Sequence, residues 1–351
     1  MQNCLSKALF ISLVFIGLAS CSGETREVKR AFYYWKAGDL NNYEAHFFEE
    51  AKAEKLYVKI FEITNDDLQG SIPIAKSYMK LSTEFIKSTE IVPCIFVEND
   101  VISKSTDEQL IDLAENTVFL VKKFLDDKLI KNSADKIRCN ELQIDCDWME
   151  SSKNQYFKFL EAIKKHWDKE LSCTLRLYPY KFEELMGVPP VDKVMLLCYN
   201  LLDPRTNNEK NSILDLQELE KYIVTDKTYP LPLDIGLPTY SSCYQFSNGQ
   251  FDEISHGVSS NLEQACLPSD DYLWYTVKTD TSLDYHYYKK GQRLKIERVT
   301  AETLLAATKL IVENIELAEV PTVALYHLDE NELINYNHET LDSIYLLFNQ
   351  R

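Results

Sequence analysis

Residues 141–148 read Glu141-Leu142-Gln143-Ile144-Asp145-Cys146-Asp147-Trp148, with polar and apolar side chains alternating. A β-strand sends successive side chains to opposite faces, so Gln143, Asp145 and Asp147 share one face and Leu142, Ile144 and Cys146 the other. The next apolar stretch, 171–178 (LSCTLRLY), repeats the pattern with Thr174, Arg176 and Tyr178 on one side. Lys59 interrupts the run 56–63 (LYVKIFEI) in the same way, and Asp234 the run 231–237 (LPLDIGL). Parallel strands covered on both faces read as continuous apolar runs. A polar face on several of them therefore points away from a helix layer and into a barrel. Buried charges are costly unless paired, so Asp145, Asp147 and Asp234 are expected to pair with Lys59 and Arg176. The set reads either as a structural ion-pair core or as a carboxylate constellation that supports catalysis.

Outward from this stretch the chain alternates strands and helices. Further strands are expected at 32–36 (FYYWK), 91–97 (IVPCIFV), 194–199 (VMLLCY) and 322–328 (TVALYHL). Helices are expected near 42–54, 75–88, 107–128, 151–167, 181–187, 214–224, 300–316 and 338–348. This is the pattern of a single α/β (β/α)8 TIM barrel over 31–351; a doubly wound open sheet is the alternative. About 60 residues separate the seventh strand from the helix at 300, far more than the usual connection. This β-rich insert, 243–299, carries an Asn-Gly hairpin signal at Asn248-Gly249. Loops after barrel strands lie at the C-terminal face, so the insert is expected over the mouth as a lid or wall.

The first residues are expected to lie outside the fold. Lys7 precedes an apolar run from Ala8 to Leu18 that fits a signal-peptide core and is short for a membrane span. Leu18-Ala19-Ser20-Cys21 resembles a bacterial lipobox. That resemblance implies cleavage after residue 20, lipidation of Cys21, a tether over 21–30, and attachment to a bacterial envelope membrane on an extracytoplasmic side. The 55 Asp and Glu outnumber the 38 Lys and Arg, a net charge of −17, which argues against nucleic acid as a partner. No GxGxxG, GxxxxGK, HExxH or GxSxG is present, so no cofactor and no metal are expected. Cys94, Cys146, Cys173 and Cys198 fall in strand-like runs and read as core thiols. Cys139 with Cys146, or Cys243 with Cys266, are the pairing options in an oxidising compartment.

The segment 141–148 also resembles the fourth-strand motif of glycoside hydrolase family 18-like barrels, Asp-x-x-Asp-x-Asp-x-Glu, whose Glu protonates the glycosidic oxygen. In one register Asp145 and Asp147 match the central Asp residues, with Leu142 at the first Asp and Met149 at the acid. Sliding by two puts Asp147 at the acid position and Gln143 at an Asp. The wider pattern over most of 31–348 is similar to a group of bacterial lipoproteins with a hydrolase-like barrel. The resemblance implies a glycan or other envelope polymer as partner, Asp147 as acid beside Asp145, and Tyr199 positioning a substrate acetamido group. Alternatively the barrel binds glycan without cleaving it. Asn200, Glu297 and Asp329 are further polar candidates, Glu297 in the lid. Aromatics are 12% of the chain, enough to line a sugar subsite, and Tyr34, Trp35, Trp148, Tyr178 and Tyr326 fall near strand ends. His327 stands alone near the eighth strand's end.

Overall fold

The computed structural model describes residues 27–66, 70–127, 137–206, 209–224, 228–258, 260–269, 272–283 and 286–349. Residues 1–20 and Cys21, the expected signal and lipidation site, lie outside them. In chain order the strands are β1 (Lys29–Tyr34), β2 (Lys55–Asp66), β3 (Gly70–Ile74), β4 (Glu90–Val97), β5 (Glu141–Asp145), β6 (Glu170–Arg176), β7 (Lys193–Leu197) and β8 (Leu233–Pro238). They continue with β9 (Ser241–Ser247), β10 (Gln250–His256), β11 (Cys266–Pro268), β12 (Trp274–Val277), β13 (Thr281–Leu283), β14 (His286–Tyr288), β15 (Arg293–Arg298) and β16 (Thr322–Tyr326). The helices are α1 (Asn42–Glu50), α2 (Thr83–Ser88), α3 (Asn99–Lys104), α4 (Asp107–Asp127), α5 (Lys153–His166) and α6 (Leu177–Lys181). They are followed by α7 (Glu183–Met186), α8 (Leu216–Ile223), α9 (Ser260–Gln264), α10 (Ala301–Asn314), α11 (Glu330–Leu333) and α12 (His338–Asn349).

Strands β1, β2, β4, β5, β6, β7, β8 and β16 pair in parallel around a ring, and β1–β2 closes it. The closed eight-stranded barrel with helices between strands is the expected architecture, and the open-sheet alternative falls. The helix layer forms because apolar side chains recur at helical spacing. In α4, Leu110, Ala114, Val118 and Val121 are buried on one face, each fully buried large side chain contributing about 1.5–3 kcal/mol. Thr106 and Gln109 close its N-terminus reciprocally, side chain to backbone, at 2.8 and 3.3 Å. Asn41 and Glu44 do the same for α1.

One expected helix is partly a hairpin. Residues 75–88 hold only the short α2, because β2 runs on past the barrel and folds back as antiparallel β3. Between β8 and α10, strands β10-β9-β15-β12-β11 form an antiparallel sheet, with β13–β14 as a separate pair. Asn248 and Gly249 both take positive φ (50° and 78°), the geometry of a tight hairpin, where β9 turns into β10. Buried Cys243, Leu262, Leu294 and Ile296 give this sheet its own apolar cluster. Among the described residues no helix is long and apolar enough to cross a membrane. All seven described cysteines are buried and unpaired, including Cys139, Cys146, Cys243 and Cys266.

Candidate functional site

The barrel lumen is polar along its length. At the strand N-termini Glu141 accepts from Lys55 (2.7 Å) and lies 2.8 Å from Lys193, which also reaches Asp234 at 3.0 Å. Ser172 donates to Glu141 (2.7 Å), Gln143 donates to Ser172 (3.3 Å), and Tyr33 donates to Gln143 (2.7 Å). Higher up, Thr174 donates to Asp145 at 2.6 Å. At the rim Arg176 grips Asp147 with two hydrogen bonds, from Nε at 2.7 Å and Nη2 at 3.1 Å. The inward face of β5 thus reads Glu141, Gln143, Asp145, with Asp147 following at the mouth.

A cavity of about 480 Å³ opens at this C-terminal face. Asp145, Asp147, Arg176, Tyr199 and Asn200 line it together with Trp35, so six of the expected site residues meet there. Tyr326, also expected, completes an aromatic wall: its ring centroid lies 5.8 Å from Trp35 and 5.6 Å from Tyr199 and from Tyr240. Two side grooves of about 330 and 340 Å³ share Asp147, Arg176 and Tyr178 with each other. Tyr178, 48% exposed on α6, offers a ring face at their junction.

Burial and the charge of Asp147 push the Asp145 carboxyl up to about 6, against the Thr174 hydrogen bond and the charges of Arg176 and Lys59. Asp147 is more open, its side chain 53% exposed. Burial raises Tyr199 well above the usual phenol range, so it stays neutral. His327 is pushed down to about 4 by burial, and its Nδ1 is buried with no hydrogen-bond partner among the described residues. Burial lowers His256 as well, and its Nδ1 lies 2.9 Å from Ser242 Oγ.

Several expected site residues sit elsewhere. Asp234 lies inside the barrel but at its opposite end, tied to Lys193 and to the Thr322 amide (2.6 Å). The expected pairing with Lys59 does not form; Lys59 bonds Glu62 and lies 5.6 Å over the Trp35 ring. Tyr34 alternates outward from β1 and donates to the Gly38 and Asp39 carbonyls. Glu297 is fully buried beside Lys295 (2.6 Å) and accepts from Ser212 (2.5 Å), so it fastens the insert to the loop before α8. Trp148 is buried, stacked on Tyr156 at 5.1 Å, and meets only a side groove. Asp329 caps α11 and pairs with Lys36 at 2.8 Å.

Five cavity residues escaped sequence reasoning, the apolar Phe96 and Leu197 and, with polar atoms to offer a ligand, Glu62, Tyr240 and His256. Glu62 faces inward because β2 bulges between Lys59 and Phe61, which flips the alternation and sets Glu62 opposite Phe96. Tyr240 follows β8 and was legible as a continuation of Asp234 and Gly236 by twos. His256 comes from β10, and nothing local to its sequence announces where the insert docks.

No family model matches the chain, and no curated protein matches it. Solved structures do resemble it. A chitinase from Chromobacterium violaceum is similar at 12% identity and a TM-score of 0.54, over 92% of this chain and 100% of that one. A Group IV chitinase from Ostrinia furnacalis is similar at 11% identity and a TM-score of 0.51, with the same coverage. At these identities the likeness shows the fold alone, the closed barrel of eight parallel strands traced above.

Proposed function

We propose that the mouth binds a glycan and hydrolyses it by carboxylate acid catalysis, with Asp145 as the proton donor. The observation that carries this reading is Asp145 itself, a carboxyl pushed up to about 6 at the floor of an aromatic-walled cavity. The fold shared with two chitinases supports it. The acid role moves from Asp147 to Asp145, because the two oxygens of Asp147 are already held by Arg176. In the reaction Asp145 protonates the leaving glycosidic oxygen, the C–O bond breaks, and positive charge grows on the anomeric carbon. Asp147 supplies the nearby negative charge. Water then adds to that carbon and its proton returns to Asp145. Tyr199 and Asn200 line the same cavity and are assigned to hold the sugar.

A panel of fluorogenic glycosides with wild type, Asp145→Asn and Asp147→Asn tests this. Asp145→Asn is expected to lose at least about a hundredfold in kcat/KM, and wild-type activity to fall as pH rises through about 6. Wild-type turnover by Asp145→Asn would remove the role. A second reading, binding without cleavage, is favoured by Met149, which stands where the resembled motif has its acid and is 59% exposed. Glycan binding by calorimetry with no turnover on the whole panel would establish it.

From the lipobox-like Leu18-Ala19-Ser20-Cys21 we propose that the protein acts outside the cytoplasm of a bacterium, held by a lipid on Cys21, with 31–351 as one barrel unit and 243–299 as its insert. Labelled palmitate should enter the wild-type chain and not Cys21→Ser, and that variant should leave the membrane fraction. Unchanged membrane recovery of Cys21→Ser would refute the anchor.

A further inference from the structure

The mouth cavity has an unusual lining. Trp35, Tyr199, Tyr240 and Tyr326 bring four aromatic rings to one space, each 5.6–6.2 Å from at least one other. Around them stand three carboxylates, Glu62, Asp145 and Asp147, against one guanidinium, Arg176. Lys59 lies beneath Trp35 and pairs with Glu62. With Asp147 matched by Arg176 and Glu62 by Lys59, Asp145 is the carboxylate left over; its partner is the neutral Thr174. The imidazoles lining the cavity, His256 from the insert and His327 just after β16, are held neutral by burial and add no positive charge. Behind His327, Lys36 is neutralised by Glu44 (2.5 Å) and Asp329 (2.8 Å).

Aromatic faces beside an excess carboxylate attract organic cations, because the ring quadrupole presents negative charge to the ligand. A carboxylated sugar would add a like charge beside Asp145, with Arg176 and Lys59 already paired to Asp147 and Glu62 and Arg176 Nη1 left as the one donor without a partner there among the described residues. The chain's net charge of −17 biases encounter in the same direction.

We propose that the cavity selects a cationic sugar unit, one bearing a free or alkylated amine, with the aromatic wall caging the ammonium group and Asp145 as its counter-ion. This rests on the second reading of the mouth, a glycan site that binds without cleaving, because a counter-ion is ionised where a proton donor is not, and it names the ligand class of that site. A dependence on pH follows. Protonation of Asp145 removes the counter-charge. Cation affinity rises as pH rises through about 6, where the Asp145 carboxyl ionises.

The test uses tetramers of glucosamine as free amine, N-acetyl and N-trimethyl forms, with a galacturonate tetramer, titrated calorimetrically into the full chain. The N-trimethyl form is expected to bind at least tenfold tighter than the galacturonate at pH 7. The N-trimethyl form carries a charge that does not titrate, so its pH response reports on the protein. Its affinity should fall about tenfold from pH 7.5 to pH 5 in wild type and stay flat in Asp145→Asn. Glu62→Gln should weaken the N-trimethyl form more than the N-acetyl form, and Trp35→Leu should do the same through loss of the cage. Thermal melts confirm that each variant is folded; if Asp145→Asn is not, the Glu62→Gln and Trp35→Leu comparisons decide. If the N-acetyl form binds and the N-trimethyl form does not, the glycan site stands and the cation selectivity is wrong. If no tetramer binds, the glycan reading itself falls. A pH response unchanged in Asp145→Asn removes Asp145 as counter-ion.

Discussion

Asp145 sits where a carboxylate is costly, at the floor of a cavity and within the field of Asp147, with one neutral hydroxyl from Thr174 as its hydrogen-bond donor. Its native carboxyl is raised to about 6, above its unfolded value, so the folded state holds the proton more tightly than the unfolded chain does. Between about pH 4 and pH 6 stability therefore falls as pH rises, and above that window the cost persists in full. Asp145→Asn removes the cost while keeping an oxygen for Thr174. It should be more stable than wild type at pH 7.5 by about 1–3 kcal/mol, with the gap closing near pH 4. Urea denaturation at the two pH values measures it, and a variant equally or less stable at pH 7.5 would contradict the assignment. This residue was legible in the sequence because alternation alone placed it on the inward face. Its role was not. Asp145 and Asp147 look equivalent as letters, and only the Arg176 fork and the depth of the cavity separate them.

At the scale of elements, the sequence was readable where one local rule acted and opaque where two competed. Strand alternation located the inward faces of β5 and β6, and the Asn-Gly pair located the β9–β10 turn. In β2 the same rule misled: unbroken alternation carries Phe61 inward, and the bulge substitutes Glu62. The inward charges Lys55, Glu141 and Lys193 were missed for a simpler reason. Each is the first residue of its strand, and the expected strands started one residue later, at the first apolar letter. Extending the period backward from Gln143 would have reached Glu141. The position of the insert was not legible, since it depends on contacts between distant segments. Glu332 of α11 accepts from the Ser241 amide (3.0 Å) and hydroxyl (2.9 Å), and Asn211 donates to the Arg298 carbonyl (2.8 Å). Those bonds hold the root of β9 and the end of β15 against the barrel, and so fix Tyr240 and His256 in the cavity wall. The mouth is thus built by elements far apart in the chain, while its floor is built by two neighbouring strands.

Inside the barrel the acidic and basic side chains divide into two layers at opposite ends of one lumen. In the mouth layer Asp145 is bonded to the neutral Thr174, while Asp147 and Glu62 have charged partners. The layer at the strand N-termini is closed: Lys55 and Lys193 together face Glu141, and Lys193 also holds Asp234 and reaches Glu170 at 3.3 Å. Burial opposes the charge on Glu141, but the two lysines outweigh it and bring its carboxyl down to about 2. A depressed carboxyl contributes stability above its unfolded value that is lost as pH falls from about 4.5 toward 2. Lys193→Met would leave Glu141 with one cation and Asp234 with none in a sealed interior. The expected loss is about 3–5 kcal/mol at pH 7, the usual cost of breaking a buried pair from one side. At pH 3 the deficit should shrink, because the variant's carboxyls take up protons that wild-type Glu141 still refuses. Urea unfolding of both proteins at the two pH values separates this from a packing defect, which would cost the same at each. Glycan affinity of the folded variant at pH 7 should match wild type, since the described groups between the two layers, among them Gln143, Ser172, Tyr33 and Tyr57, are neutral. Loss of affinity in a variant that melts as one cooperative unit would show that the layers are coupled and that the lumen acts as a single charged column.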